Sequence, residues 1–138
     1  QEMLKITFLS TLQIIQIHDL QIEIHGGGLP GIRDHNLLES AVCAPRATFG
    51  QEFLHRSVFT MAAAYFLSLA KNHAFNDGNK RTALSATTTF LQLNGIALQV
   101  DDDELVAFTV RIASEKTTNE EIAAFLENHA YIEEVDSG

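Results

Sequence analysis

Cysteine occurs once in these 138 residues, at Cys43, so no intramolecular disulfide can staple the chain. A chain of this length needs none, because a single domain can bury roughly two thirds of the surface exposed on unfolding. Cations are scarce. Nine Lys and Arg face eighteen Asp and Glu, a net charge of −9 with a pI near 4.9. A chain this acidic lacks the electropositive footprint with which a general nucleic-acid binder releases counterions. Long apolar runs are missing too. The longest, Val58 to Ala70, is too short to span a bilayer and contains Ser68. The Ile- and Leu-rich stretch from Met3 to Ile17 is interrupted by Thr, Ser and Gln, and no small-residue cleavage site follows it. These absences predict a cytoplasmic protein of one domain, with protein or small-molecule partners and no direct contact with nucleic acid or membrane. Cys43 reads as part of a buried helix face rather than a reactive thiol.

What is present is mostly helix-forming. Ser10 reads as the N-cap of a first helix reaching about His25, although Ile22 and Ile24 also allow a strand, and Gly26-Gly27-Gly28 stops it. After a turn at Leu29-Pro30-Gly31, Asp34 caps a short helix to about Ala44 that ends before Pro45. Ala47 to His55, with Gly50 and alternating Phe49, Gln51 and Phe53, predicts an extended flap or short hairpin. Ser57 caps a helix to about Asn72 that is apolar on nearly every side, as at the centre of a bundle. Asn79 to Asn94 reads as the second central helix, with Leu84, Phe90, Leu91 and Leu93 inward and Asn94-Gly95 as its stop. Asp101-Asp102-Asp103-Glu104 opens a third long segment ending near Lys116, its acids placed for the helix dipole rather than for a metal. Thr118-Asn119 caps a last helix on which Ile122, Phe125, Leu126 and His129 follow helical spacing. The expected fold is all-α: a compact single-domain bundle over residues 4–130, with a central helix-loop-helix, a short extended flap and an acidic tail, 131–138, that frays.

Chemistry concentrates in His73-Ala74-Phe75-Asn76-Asp77-Gly78-Asn79-Lys80-Arg81. Asn76 to Asn79 tolerate turn and left-handed conformations, so successive N–H groups can converge into an anion-binding nest. A helix starting at Asn79 adds N–H donors and positive dipole at the same point. Lys80 and Arg81 are disfavoured in a first turn by roughly 0.3–1 kcal/mol each, unless an anion sits there. Asp77 is the hard oxygen ligand that Mg²⁺ accepts beside a triphosphate, and His73 has a side chain suited to proton abstraction near neutrality. Singly, each has an ordinary role: His73 a helix C-cap, Asp77-Gly78 a turn, Asn79 a cap, Lys80-Arg81 a solvated face. Phe75 is a core anchor on either view.

The stretch resembles the signature of the Fic/Doc superfamily, His-x-Phe-x-Asp/Glu-Gly-Asn followed by basic residues; His73, Phe75, Asp77, Gly78 and Asn79 match it in position. Fic nucleotidyltransferases usually continue Gly-Arg with a second Arg three residues on. Here Lys80 takes the Gly position, Arg81 matches, and Leu84 takes the later Arg position, which is the Doc form. Gly27-Gly28-Leu29-Pro30-Gly31 also resembles the loop after the first helix of Doc toxins, so the likeness runs from about Leu4 to about Asn128. It implies a toxin of a toxin–antitoxin pair that transfers the γ-phosphate of ATP to a threonine of elongation factor Tu and blocks translation. In that assignment His73 takes the hydroxyl proton, Asp77 holds Mg²⁺, and Asn76, the Gly78-Asn79 backbone, Lys80 and Arg81 bind the nucleotide's phosphates. Lys80 and Leu84 fit a nucleotide bound the opposite way round from Fic enzymes. The flap would lie near the target segment. No complete inhibitory Ser/Thr-x-x-x-Glu-Gly/Asn motif occurs, since Thr48 to Glu52 and Thr117 to Glu121 are followed by Phe53 and Ile122; inhibition is therefore expected in trans, by an antitoxin. The alternatives are AMP or nucleotidyl transfer to a protein hydroxyl, and a catalytically idle binding module.

Overall fold

Every described α-helix but one begins where the sequence supplies a side-chain oxygen for its free N–H groups. Helix α1 (Thr11–Ile24) starts on Ser10, whose hydroxyl accepts from Gln13 N–H at 3.1 Å, while the Gln13 side chain accepts from Ser10 N–H at 2.8 Å. Such a capping box stabilises a helix by about 1 kcal/mol over an uncapped start. Ser57 with Thr60 opens α3 (Val58–Lys71) and Thr118 with Glu121 opens α6 (Asn119–Asn128) in the same way. Asp34 caps α2 (His35–Cys43) by accepting from the N–H groups of Asn36 and Leu37. The computed structural model describes residues 5–25, 28–50, 52–55, 57–114 and 116–132. Its other two helices are α4 (Asn79–Leu93) and α5 (Asp102–Ser114), the latter starting where Asp101 accepts from Glu104 N–H at 2.9 Å. Among the described residues no helix is long and apolar enough to cross a membrane.

Helix α3 is the hub. Met61 to Phe66 and Leu69 are all buried, and α3 packs against α2, α4 and α6. Fully burying one large apolar side chain stabilises the fold by about 1.5–3 kcal/mol, so this helix and the Phe90 and Leu91 side chains of α4 carry much of the fold's stability. Helix α1 is pinned to the hub before it begins: Leu9 is fully buried and its N–H donates to the Tyr65 hydroxyl at 2.9 Å. Burial pushes the Tyr65 phenol above its ordinary pKa, with opposing contributions from the Leu9 contact and from Arg46. Packing of α1 on α4 then brings the α1 side chains beside the α3–α4 loop.

The flap is a hairpin, β1 (Thr48–Phe49) paired antiparallel with β2 (Glu52–Phe53), with Phe53 tucked 5.6 Å from the Phe8 ring and Phe49 85% exposed. A second pair was not expected from the sequence. Strand β3 (Ile96–Leu98), which follows the left-handed Gly95 at φ 81, runs antiparallel to β4 (Ala130–Ile132), with Ala97 opposite Tyr131. Tyr131, assigned to the fraying tail, is thus a paired strand residue; 133–138 lie outside the described residues, as do Gly26 and Gly27 of the first stop signal. Two inward assignments are also corrected. Cys43 is exposed, because the buried stripe of α2 is Leu38, Ala41 and Val42 and position 43 falls on the other side. Leu93 is 45% exposed in the last turn of α4, whose inner face is Ala83, Ala86, Thr87, Phe90 and Leu91.

Candidate active site

His73 follows the C-cap of α3, Asn72, with φ 51. That left-handed position after a helix usually takes glycine, and a side chain there costs about 1–2 kcal/mol. The capping role open to His73 in the sequence is filled by Arg33, whose Nε donates to the His73 carbonyl at 2.6 Å and whose Nη2 donates to the Asn72 carbonyl at 3.4 Å. The imidazole itself is exposed and has no hydrogen-bond partner among the described residues. It lines a cavity of about 420 Å³ with Ala70, Asn76, Asp77, Gly78, Asn79, Lys80 and Arg81. All seven candidate residues therefore meet at one place.

The loop between them is held from three sides. Ala74 C=O accepts from the N–H groups of Arg33 and Asp34 at 2.7 and 3.1 Å, and Asn76 N–H donates to Gly31 C=O at 3.2 Å. Phe75, 2% exposed, lies flat on His18 of α1 with ring centroids 3.9 Å apart. The Asn79 amide closes the loop on itself, accepting from Phe75 N–H and donating to Phe75 C=O, each at 3.0 Å. Asn79 thus offers a ligand its backbone N–H and not its side chain. Asn76 also faces the neighbouring loop, with Nδ2 donating to Pro30 C=O at 3.1 Å.

The start of α4 is open. Gly78 is its N-cap at φ 76, ψ 19, and no side chain caps it. The first intrahelical bond runs from Thr82 N–H to Gly78 C=O at 3.0 Å, so the N–H groups of Asn79, Lys80 and Arg81 have no acceptor among the described residues. Gly78 N–H donates to Asp77 Oδ1 at 2.8 Å. The other Asp77 oxygen lies against Gly28, where a Cβ would come within 2.9 Å of Oδ2, and where φ is +127. Oriented donors, two cations and one exposed carboxylate suit a polyanion. Among the described residues no group of three or more His, Cys, Asp or Glu could hold a metal alone, so a Mg²⁺ at Asp77 would have to share its ligands with bound phosphates, as is usual for that ion.

Three contributors were not singled out in the sequence: His18, Arg33 and Gly28. Nothing local marks the first two, which act across long separations; the glycine run at 26–28 was noted only as a helix stop and as part of a likeness. Leu84 lies outside the anion cavity, on an apolar groove of about 290 Å³ between α4 and α5 with Leu105, Val106 and Val110.

Comparison with known proteins gives the family. Residues 8–91 match the model of the Fic/DOC family, a span that includes the α1 contacts and the whole loop. The chain belongs to the Fic/DOC family. Among its relatives, "Toxin Doc" of Mycolicibacterium smegmatis is 47% identical over 77 residues, which cover 56% of this chain and 59% of that protein. "Protein kinase doc" of Escherichia phage P1 is 36% identical over 106 residues, covering 77% of this chain and 82% of the phage protein. In this Fic/DOC chain Lys80 lies beside the open helix end, and the aliphatic Leu84 sits one turn further along α4, on the adjoining apolar groove.

Proposed function

We propose that this protein is a Doc-type toxin that transfers the γ-phosphate of ATP to a hydroxyl group of a target protein, a threonine of elongation factor Tu by analogy with the family. The observation that carries the proposal is the convergence on one cavity of His73, the Asp77 carboxylate and the first N–H donors of α4, which have no acceptor among the described residues. The target hydroxyl gives its proton to His73 as its oxygen bonds to the γ-phosphorus; the bond from that phosphorus to the β–γ bridging oxygen breaks, and ADP leaves. Asp77 would hold Mg²⁺, which when bound would supply charge neutralisation for the phosphates. The N–H groups of Asn79, Lys80 and Arg81, with the two cationic side chains, orient the triphosphate and balance the charge spreading over its oxygens. Because the loop is fastened to α1, to α3 and to the segment around Gly31, these donors are preorganised before ligand arrives.

Transfer of the γ-phosphate rather than of AMP is supported by Lys80 and Leu84: the second cation that Fic nucleotidyltransferases usually carry is replaced here by an apolar side chain on an adjoining groove that shares Lys80 and Arg81 with the anion cavity. The relative named as a protein kinase points the same way. The target segment adds to the open edge of the flap at Phe49, and an antitoxin inhibits in trans. ATP labelled at the γ- or the α-phosphate, incubated with the protein and elongation factor Tu, tests the reading. Label from the γ-phosphate alone is expected in the acceptor; α-label in the acceptor would establish nucleotidyl transfer instead. No label from the wild-type protein, with growth inhibition unchanged in His73→Ala, would favour an idle binding module.

A further inference from the structure

We propose that His18, on α1 and far in sequence from the loop, is a positioning residue that sets the orientation of the Asp77–Gly78 peptide and, through it, of the Asp77 carboxylate. What the oriented group is for rests on the function proposed above; the orientation itself does not.

His18 is 1% exposed, and its Nε2–H donates to the Asp77 carbonyl at 2.7 Å. A carbonyl oxygen can only accept, so this nitrogen carries a proton whatever the state of Nδ1, which lies 3.6 Å from the Asp19 carboxylate. A trans peptide is planar, with C=O and N–H pointing in opposite directions. Tying the Asp77 carbonyl to α1 therefore aims Gly78 N–H away from α1, where it donates to Asp77 Oδ1 at 2.8 Å. Gly78 cannot hold this peptide by itself, because glycine adopts either sign of φ at little cost. A flipped peptide would take the donor from the carboxylate and turn a carbonyl dipole toward the bound anion. His18 opposes that flip.

The ring also packs. It stacks on Phe75 with 6° between planes, and its Cδ2 lies 3.7 Å from where a Gly78 Cβ would be. Packing alone would ask only for a flat ring; the N–H is what asks for histidine. Asp77 is the loop's one carboxylate, and partners of this supporting kind typically cost about 10–100-fold in metal affinity or activity when lost.

The experiment compares the full chain with His18→Phe and His18→Gln. Phenylalanine keeps a flat ring on Phe75 and loses the donor, whereas glutamine keeps an N–H of similar reach and loses the ring. In His18→Phe we expect the Gly78 amide resonance to move, Mn²⁺-induced broadening at Asp77 and Gly78 to weaken, and the rate constant for phosphate transfer to fall about 10–100-fold. In His18→Gln the Gly78 amide and most of the rate should return, even with a lower Tm. A Phe variant with the wild-type Gly78 resonance and Mn²⁺ broadening overturns the inference. So does a Gln variant as impaired as the Phe variant, since the ring's packing would then be what matters. Should the Phe variant not fold, a Gln variant with the wild-type Gly78 resonance supports the inference and a displaced one overturns it. If the wild-type protein transfers nothing from ATP, the proposed function fails, and the Gly78 and Mn²⁺ readouts still decide the role of His18.

Discussion

Helix α6 opens on a complete capping box, Thr118 with Glu121, and carries Glu120 and Glu121 in its first turn, whereas α4 opens on a left-handed Gly78 with no side-chain cap and has Lys80 and Arg81 in the corresponding turn. The far end of α6 is furnished as well: His129 donates from Nδ1 to the Phe125 carbonyl and from Nε2 to Glu104 at 2.6 Å. As an isolated helix, α4 forgoes a few tenths of a kcal/mol of capping, its N-cap being Gly78, and takes on roughly 0.3–1 kcal/mol of dipole penalty per cation. A chain that caps α1, α2, α3 and α6 from its own side chains has the residues to cap α4. The difference supports the proposal that the start of α4 is completed by a ligand, and that the ligand is an anion.

The comparison breaks most sharply at His73. His73→Gly should lower phosphate transfer by about 10²–10⁴-fold while leaving unfolding free energy unchanged or raised by up to about 1 kcal/mol, because glycine suits φ 51. Urea unfolding beside a transfer assay checks both; a large loss of stability would restore a structural role for the side chain. Next, Lys80→Glu gives α4 the acid that α6 has. It should stabilise the ligand-free protein by about 0.3–1 kcal/mol and cut transfer by about a hundredfold, with stability and activity moving in opposite directions.

Smaller effects belong to α6. Thr118→Ala removes the hydroxyl that accepts from Glu121 N–H and should cost about 1 kcal/mol in urea unfolding with no change in transfer. His129 has its pKa raised, first by donation to the Phe125 carbonyl and then by Glu104, against a desolvation effect that lowers it. A raised folded pKa means that the contribution is fully present below the unfolded value, about 6.5, and is lost as pH climbs through the folded one. Unfolding free energy should therefore fall across that window by on the order of a few tenths of a kcal/mol, the size of an exposed pair, and His129→Gln should not show the step.

How far the sequence could carry these conclusions depended on whether the signal was local. Ser10, Asp34, Ser57 and Thr118 announce helix starts within a few residues, and all four are N-caps. The motif's residues were legible for the same reason, being close in sequence. What stayed hidden was set by distant partners. Ile96–Leu98 and Ala130–Ile132 make one pair only because α5 and α6 return the chain; Cys43 and Leu93 look apolar in sequence, and only the packed helices show which side faces out. His18 touches Asp77 and Arg33 touches His73 across separations no periodicity reports. Asn79 was legible as a site residue, but not that its side chain braces the loop while its N–H stays open.

The central claim is that the first turn of α4 is a phosphate site and that of α6 is not. Backbone amide NMR during titration with Mg²⁺ and ATP tests it directly. The amides of Gly78, Asn79, Lys80 and Arg81 should move most, with those of Asn119 to Glu121 unmoved; no response at Gly78 to Arg81, or an equal response at both helix starts, would contradict it.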